Sequence, residues 1–487
     1  MKYFKFFHAP LVLAFVLAGC ANMRGLDPEA RLLEPDALAS GKSLSGVKLS
    51  AAAWPAADWW RALDDTQLNA MIDEALQGNP DLALVDARLR QTMAQVLGAD
   101  AARMPEVGFK ASAPGAQIPT TALPPPYGGE YQTFKQLTFS FNYTFDLWGG
   151  QRAAWEAALG QQRAAEVDAR AARLNLSADV ARAYAQLAYA FAANEVARSD
   201  AARAKQSLDL TQQRLQAGLD SQAQLKQAEA ALASAEQRLA QSEQLVDSGR
   251  TTLAMLLGKG PDRGLEIARP VPLKPMALAL PEALPANLVG RRPDLVAARW
   301  RVESMRHGID AAKAQFYPNV NLSVLAGTLA GRTSDILALG SRFAMVTPAI
   351  SLPIFDGGRL RANLAGRDAE YDLAVAQYNK ILVGALNEVK EQLSALQSLQ
   401  VQEAAQRRAF AAEREAWDLA VLRYKNGVGS YLEVLTVQQA LLAADLQLVT
   451  LHAQQIDASI LLVRALGGGY HDDSGVSDAP ATHASMQ

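Results

Sequence analysis

Residues 137–145 alternate strictly: Leu137, Phe139, Phe141, Tyr143 and Phe145 are apolar or aromatic, and Thr138, Ser140, Asn142 and Thr144 between them are polar. A two-residue period places the two sets on opposite faces of an extended strand. Upstream, Val107, Phe109, Ala111 and Ala113 repeat the pattern and are the expected partner. Further on, Val320, Leu322 and Val324 alternate with Asn319, Asn321 and Ser323, and Val346, Ile350, Leu352 and Ile354 give a weaker return strand interrupted by Pro348 and Pro353. Elsewhere the period changes. Residues 151–216 and 359–426 contain no proline and are rich in Ala, Leu, Gln, Glu and Arg. Each reads as one helix of ~100 Å, which needs something packed along it. The segments that follow supply the packing. Leu225, Ala228, Leu232, Ala235, Leu239, Ser242, Val246, Gly249, Leu253 and Leu256 alternate steps of three and four without a slip, and Val434, Val437, Leu441, Ala444, Leu448, Leu451, Gln455, Ala458, Leu462 and Ala465 do the same. That is a heptad seam with many small members.

These elements occur twice. Asn79-Pro80-Asp81-Leu82 is echoed by Arg292-Pro293-Asp294-Leu295, and Phe145-Asp146 followed by Gly149-Gly150 by Phe355-Asp356-Gly357-Gly358. Arg214-Leu215-Gln216-Ala217-Gly218 returns as Arg423-Tyr424-Lys425-Asn426-Gly427, and Leu256-Leu257-Gly258 as Ala465-Leu466-Gly467. The offset falls from 213 to 209 residues across the strand-and-loop region. Each copy reads as a helix, two strands and two long helices, with Pro80 and Pro293 at first helical positions, Asn79 a cap, and Pro105 and Pro318 as stops. The loops between the strands, Pro124-Pro125-Pro126-Tyr127-Gly128-Gly129 and residues 331–341, carry turn residues and no catalytic pattern.

The N-terminus changes what the strands mean. Lys2 and Lys5 precede a largely apolar run over residues 9–17 that ends in Ala18 and Gly19, the form of an export signal. Leu17-Ala18-Gly19-Cys20 resembles a bacterial lipobox, and Cys20 is the only cysteine. The run is too short to span a bilayer, so the mature chain is expected to begin at an acylated Cys20, with Ala21 compatible with export to the outer membrane. A half-buried sheet of a soluble domain would show the same alternation; the export signal favours strands of about ten residues in a membrane β-barrel. The 487 residues carry a formal charge of −3, without the basic excess that a phosphate-backbone binder needs.

The combination of motifs resembles a known family, the outer-membrane efflux factors of the TolC and OprM type, especially their lipoprotein branch. The motifs are Trp59-Trp60 with Leu68 through Leu82; Leu284-Pro285 with Arg291-Arg292-Pro293-Asp294-Leu295; Phe355-Asp356-Gly357-Gly358; residues 423–432; and Leu466-Gly467-Gly468-Gly469. The resemblance implies an α+β membrane channel: a long α-helical periplasmic barrel joined to a trimeric transmembrane β-barrel with four strands per protomer. The organisation expected is a signal peptide over 1–19, an N-terminal anchor and connector over 20–79, a first repeat over 80–258, an equatorial connector over 259–292, a second repeat over 293–467 and a flexible C-terminal tail over 468–487.

It also implies partners: two further copies in a homotrimer, outer-membrane lipid, a periplasmic adaptor (membrane fusion) protein and an inner-membrane efflux pump. Adaptor docking falls to the two turns between the long helices, Gly218, Leu219, Asp220, Ser221 and Gly427, Val428, Gly429, Ser430. A periplasmic gate falls to Tyr424, Leu432, Glu433 and Thr436. Thr436 departs from the acidic residue common there in the family, so a gate that uses charge would rest on Glu433 and a hydroxyl.

An enzyme reading finds no constellation. The five histidines, His8, His307, His452, His471 and His483, lack metal-ligand spacing. Gly427-Val428-Gly429 joins two helices and so lacks the strand-to-helix context of a nucleotide loop. Asp146 and Asp356 are expected as helix caps. No cofactor is implied. The competing non-enzymatic readings are an exit duct for one-step protein secretion and a non-conducting, lipid-anchored periplasmic coiled-coil scaffold.

Overall fold

The computed structural model describes residues 23–35, 38, 54–122, 124–125, 128–276 and 284–472. The expected signal peptide, Cys20 and most of the expected C-terminal tail lie outside the described residues. The elements are α1 (Thr66–Gly78), α2 (Pro80–Ala101), β1 (Glu106–Ser112), β2 (Gly115–Gln117), β3 (Tyr131–Thr133), β4 (Lys135–Phe145), α3 (Gly150–Gln216), α4 (Gln222–Leu256), α5 (Asp262–Leu265), α6 (Leu284–Arg291), α7 (Pro293–Ala314), β5 (Asn319–Ala330), β6 (Arg342–Ser351), α8 (Arg359–Lys425) and α9 (Tyr431–Ala465). In the helices the duplication holds to the residue: α2 and α7 each have 22 residues, α3 and α8 each 67, and α4 and α9 each 35.

The described residues form two compact units, and both mix the two copies. One takes the described residues up to Leu32 with Leu89–Ala165 and Ala298–Tyr378. It holds an antiparallel sheet in the order β1-β4-β5-β6. The register puts Val107, Phe141, Val324 and Val346 in one row and Phe109, Phe139, Ala326 and Ala344 in the next, all on one face. On the other face Thr144 donates to Asn321 Oδ1 at 2.8 Å and Ser323 to Asn142 Oδ1 at 2.9 Å. The faces read from the sequence are therefore the faces of the sheet. β6 ends at Ser351, short of Leu352 and Ile354, because Pro353 cannot continue the ladder, while Pro348 lies within it opposite Leu322. A feature not expected from the sequence is the ribbon β2–β3, which extends the β1–β4 pair toward its loop.

The same unit anchors its helices at the strand ends. The Asp146 carboxylate accepts from the Gln151 and Arg152 amides, and Asp356 from those of Gly358 and Leu360, satisfying N-terminal helix donors. Trp148 and Tyr317 stack with ring centroids 4.7 Å apart. Residues 23–30 lie along the start of α8: Met23 and Leu26 pack on Ile309, Phe316 and Leu364, the Arg24 carbonyl accepts from Arg361, and the Glu29 and Ala30 amides donate to Asp372.

The second unit comprises Leu33–Arg88, Glu166–Ala297 and the described residues from Asn379 onward. Its core joins Trp59, Trp60, Leu68, Met71 and Ile72 to Tyr184 and Leu187 of α3, Leu253 of α4 and Ile460 of α9. Buried Asp65 caps α1 through the Gln67 and Leu68 amides and accepts from the Tyr184 hydroxyl at 2.7 Å. The heptad seam is buried at Ala228, Ala235, Ser242, Val246 and Leu253, and at Val434, Leu441, Ala444, Leu451, Gln455 and Ala458. α9 is long and apolar enough to cross a membrane by composition. Its buried polar groups are committed inside this unit, with Gln438 donating to Asp200 at 2.9 Å and Gln455 to the Leu399 carbonyl at 3.1 Å. Gly467 closes the helical turn where a Cβ would stand 1.9 Å from the Arg291 carbonyl oxygen, which accounts for the glycine motif there.

Candidate functional site

Two turns join the long helices, α3 to α4 and α8 to α9, and they have the same construction. Gly218 and Gly427 take φ of +73° and +78°, the left-handed conformation that ends a helix at little cost in glycine. The Leu219 amide returns to the Arg214 carbonyl and the Gly218 amide to that of Leu215; Val428 to Arg423 and Gly427 to Tyr424 repeat the pair. Ser221 then caps α4 in a reciprocal box with Gln224, and Ser430 caps α9 by accepting from the Glu433 amide at 3.2 Å. With their polar groups satisfied internally, the turns present Leu219 and Val428 to solvent, 65% and 67% exposed.

A buried polar cluster ties the turns together. The Tyr424 hydroxyl donates to Asp220 Oδ2 and lies 3.0 Å from Thr211 Oγ1. Arg214 donates to Asp220 at 3.0 Å and to the Tyr424 carbonyl at 2.8 Å, and its guanidinium stands 4.6 Å from the centre of the Tyr424 ring. The side chains of Arg214 and Asp220 are 12% and 2% exposed. Burial, reinforced by the Asp220 carboxylate, pushes the Tyr424 phenol up to about 12, and the Asp220 hydrogen bond holds the Arg214 guanidinium above its ordinary value. Tyr431 and Trp417 complete the packing. The arrangement is a latch between the two copies: α3 and its turn supply Thr211, Arg214 and Asp220, and α8 supplies Tyr424.

The structure thus divides the residues singled out from the sequence. Gly218, Leu219, Ser221, Gly427, Val428 and Ser430 build or present the turn surfaces, whereas Asp220 is internal. Gly429 fits against the Arg423 side chain, where a Cβ would approach within 3.0 Å. Leu432 is exposed, half-exposed Glu433 pairs with Arg423 at 3.4 Å, and the Thr436 hydroxyl donates to the Leu432 carbonyl at 2.8 Å. Tyr424 does not share their surface. Arg214 and Thr211 were missed as site residues, although a signal existed. Asp220 and Gly429 occupy equivalent positions of the two copies, as do Leu215 and Tyr424 and Thr211 and Ala420, so apart from Arg214, which recurs as Arg423, the latch is built where the repeats differ.

Histidines in reach of carboxylates are engaged in local packing: His307 lies 3.1 Å from Glu156, and His452 bonds to the Leu273 carbonyl at 3.0 Å.

Residues 71–259 and 284–468 each match the family model described as outer membrane efflux protein, so the matched segments begin a helix earlier than the repeats read from the sequence. The chain is 38% identical over 365 residues to the fusaric acid resistance protein FusA of Burkholderia cepacia, covering 74% of this chain and 69% of that protein. It is 31% identical over 475 residues to the multidrug resistance outer membrane protein MdtQ of Escherichia coli O157:H7, covering 95% and 97%. The crystal structure of the outer membrane protein VceC of Vibrio cholerae superposes with a TM-score of 0.81 at 35% identity, covering 85% of this chain and 100% of that one.

Proposed function

Because the chain belongs to the outer membrane efflux protein family, it is an outer-membrane efflux channel, and we propose that three copies form one conduit passing small toxic molecules or drugs outward from an inner-membrane pump and a periplasmic adaptor protein. The observation that carries this reading is the sheet. In the rows of Val107 and Phe109 one face is apolar across all four strands, while β1 and β6 each keep an unpaired edge. In hydrocarbon such edges leave backbone groups unsatisfied at several kcal/mol each. Pairing β1 of one copy with β6 of the next removes them, and three copies close a twelve-stranded barrel.

The turns around Leu219 and Val428 dock the adaptor, since they offer exposed aliphatic side chains on rigid, internally satisfied backbone. Leu432, Glu433 and Thr436 line the gate, and the Tyr424 latch behind them holds the helix pairs in the closed arrangement. An adaptor opens the gate by binding the open arrangement more tightly than the closed one. Cys20 carries the lipid anchor. Arg24, four residues downstream, sits at the first turn of α8, just beyond the end of β6.

Planar-bilayer recordings of purified trimers test the reading. A closed state of low conductance is expected for the native protein, raised several-fold in Leu432→Ala and Glu433→Ala. No conductance at all would make the protein a scaffold, and unchanged values in both variants would put the constriction elsewhere.

A further inference from the structure

Away from the tip, the second unit contains a cavity of about 300 Å³ that no part of the channel reading uses. Its wall on α3 is hollowed by Ala185, Ala188 and Ala192, which share one helical face at steps of three and four. Tyr189, Phe191, Leu448 and Ile456 give it an apolar lining. The roof is Arg269-Pro270-Val271-Pro272-Leu273, where each proline also restricts the residue before it to an extended conformation. Both ends of that roof are fixed. Gln67 exchanges hydrogen bonds with Ala268 at 2.9 and 3.2 Å, and His452 holds the Leu273 carbonyl at 3.0 Å. The cavity is therefore preformed, as ligand pockets commonly are, and its volume is at the small end of their range.

Its polar rim is rich in N–H donors. Arg269 and Arg407 stand at the mouth with His452, facing one carboxylate, Glu403. Glu403 is committed: it accepts from Arg407 and, at 2.6 Å, from Gln455, and the Arg407 hydrogen bond holds its carboxyl below the ordinary range. Arg269 is 58% exposed, only 3.6 Å from Glu195, and its guanidinium lies 5.9 Å from the Phe191 ring centre.

We propose that this cavity is a binding site for a small amphiphilic carboxylate, one aromatic ring or a short aliphatic chain in size. The apolar body enters between the α3 alanines and Ile456, and the carboxylate meets Arg269 and Arg407 at the rim. A bound molecule touches α3, α8, α9 and the proline roof together, so it clamps elements from both copies of the duplication. The site is separate from the gate, and its occupancy is measurable without any transport assay.

The test uses 3-phenylpropanoate and its uncharged amide, titrated calorimetrically into the full-length trimer in detergent. One saturable site per protomer is expected for the carboxylate, with at least tenfold weaker binding of the amide. Ala188→Trp fills the cavity and should abolish binding. Arg269→Gln, at an exposed position that does not affect the core, should weaken the carboxylate about tenfold and leave the amide unchanged. Equal binding of acid and amide, binding retained in both variants, or no saturable binding to the native trimer would each overturn the proposal. Single-channel conductance measured on the same preparations separates this failure from failure of the channel reading.

Discussion

At the scale of single residues, the Tyr424 latch turns a buried phenol into a pH-dependent fastening. An ordinary tyrosine ionises near pH 10, but burial and the Asp220 carboxylate raise this one to about 12. The folded tip thus favours the protonated phenol, and that stabilisation is complete below pH 10 and lost as pH rises toward 12. Above that point two anions would face each other where one hydrogen bond stood. Closed-state conductance of native trimers should accordingly step up between pH 10 and 12, while Tyr424→Phe should leak more at neutral pH and show no alkaline step. The hydroxyl deletion should cost about 1–2 kcal/mol. An unchanged alkaline step in Tyr424→Phe would assign the titration to another group. The latch was only half legible in the sequence: Tyr424 stood out by resemblance and Asp220 by its turn. Their pairing spans 204 positions and depends on which faces of α3 and α8 meet, which no local pattern encodes.

Among the elements, periodicity was the reliable guide. The alternating residues of β4 fall on one face of the sheet, and Phe139 and Phe141 are paired on both sides by apolar neighbours, because a strand flanked by two others has no freedom to rotate. Phe141 lies opposite Val107 and Val324, and Asn142 opposite Glu106 and Ser323. A lysine at Phe141 would enter lipid and one at Asn142 the polar face, so Phe141→Lys should lower trimer stability by ~2–4 kcal/mol more than Asn142→Lys if the site is near the bilayer midplane. Heat-dissociation of trimers on gels measures the difference; equal yields would reverse the faces. The long helices were equally readable from their uninterrupted composition and capped ends. The β2–β3 ribbon was not, because Gly115-Ala116-Gln117 is too short to show a period and owes its shape to the strands it extends. Nor was α6, whose neighbourhood is dominated by prolines that read as connector.

For the whole molecule, anchoring and assembly are separate contributions. The barrel holds the protein in the membrane through the sheet, and the proposed lipid on Cys20 would add a tether just upstream of residues 23–30, which are themselves packed on the start of α8. Metabolic labelling with a radioactive fatty acid should mark the native protein and not Cys20→Ser, while trimers of the variant remain in the outer-membrane fraction; label retained in the variant would refute acylation at that residue. The order of the strands has a further consequence, for the timing of biogenesis. β4 joins β5, so the central ladder pairs Lys135 with Ala330 and Phe145 with Val320, across a stretch of chain that includes all of α3 and α4. Export delivers the N-terminus first, so the β1–β4 hairpin arrives while its bonding partner is still unmade or untranslocated. Closing a loop of roughly 170 residues costs ~4–5 kcal/mol of chain entropy before the first cross-copy bond forms. Through that interval Phe139 and Phe141 sit beside an open strand edge, the arrangement that recruits foreign strands. A chain stalled inside its second repeat is therefore a target for periplasmic chaperones and proteases, and the two halves, though alike in their long helices, cannot serve as two half-channels.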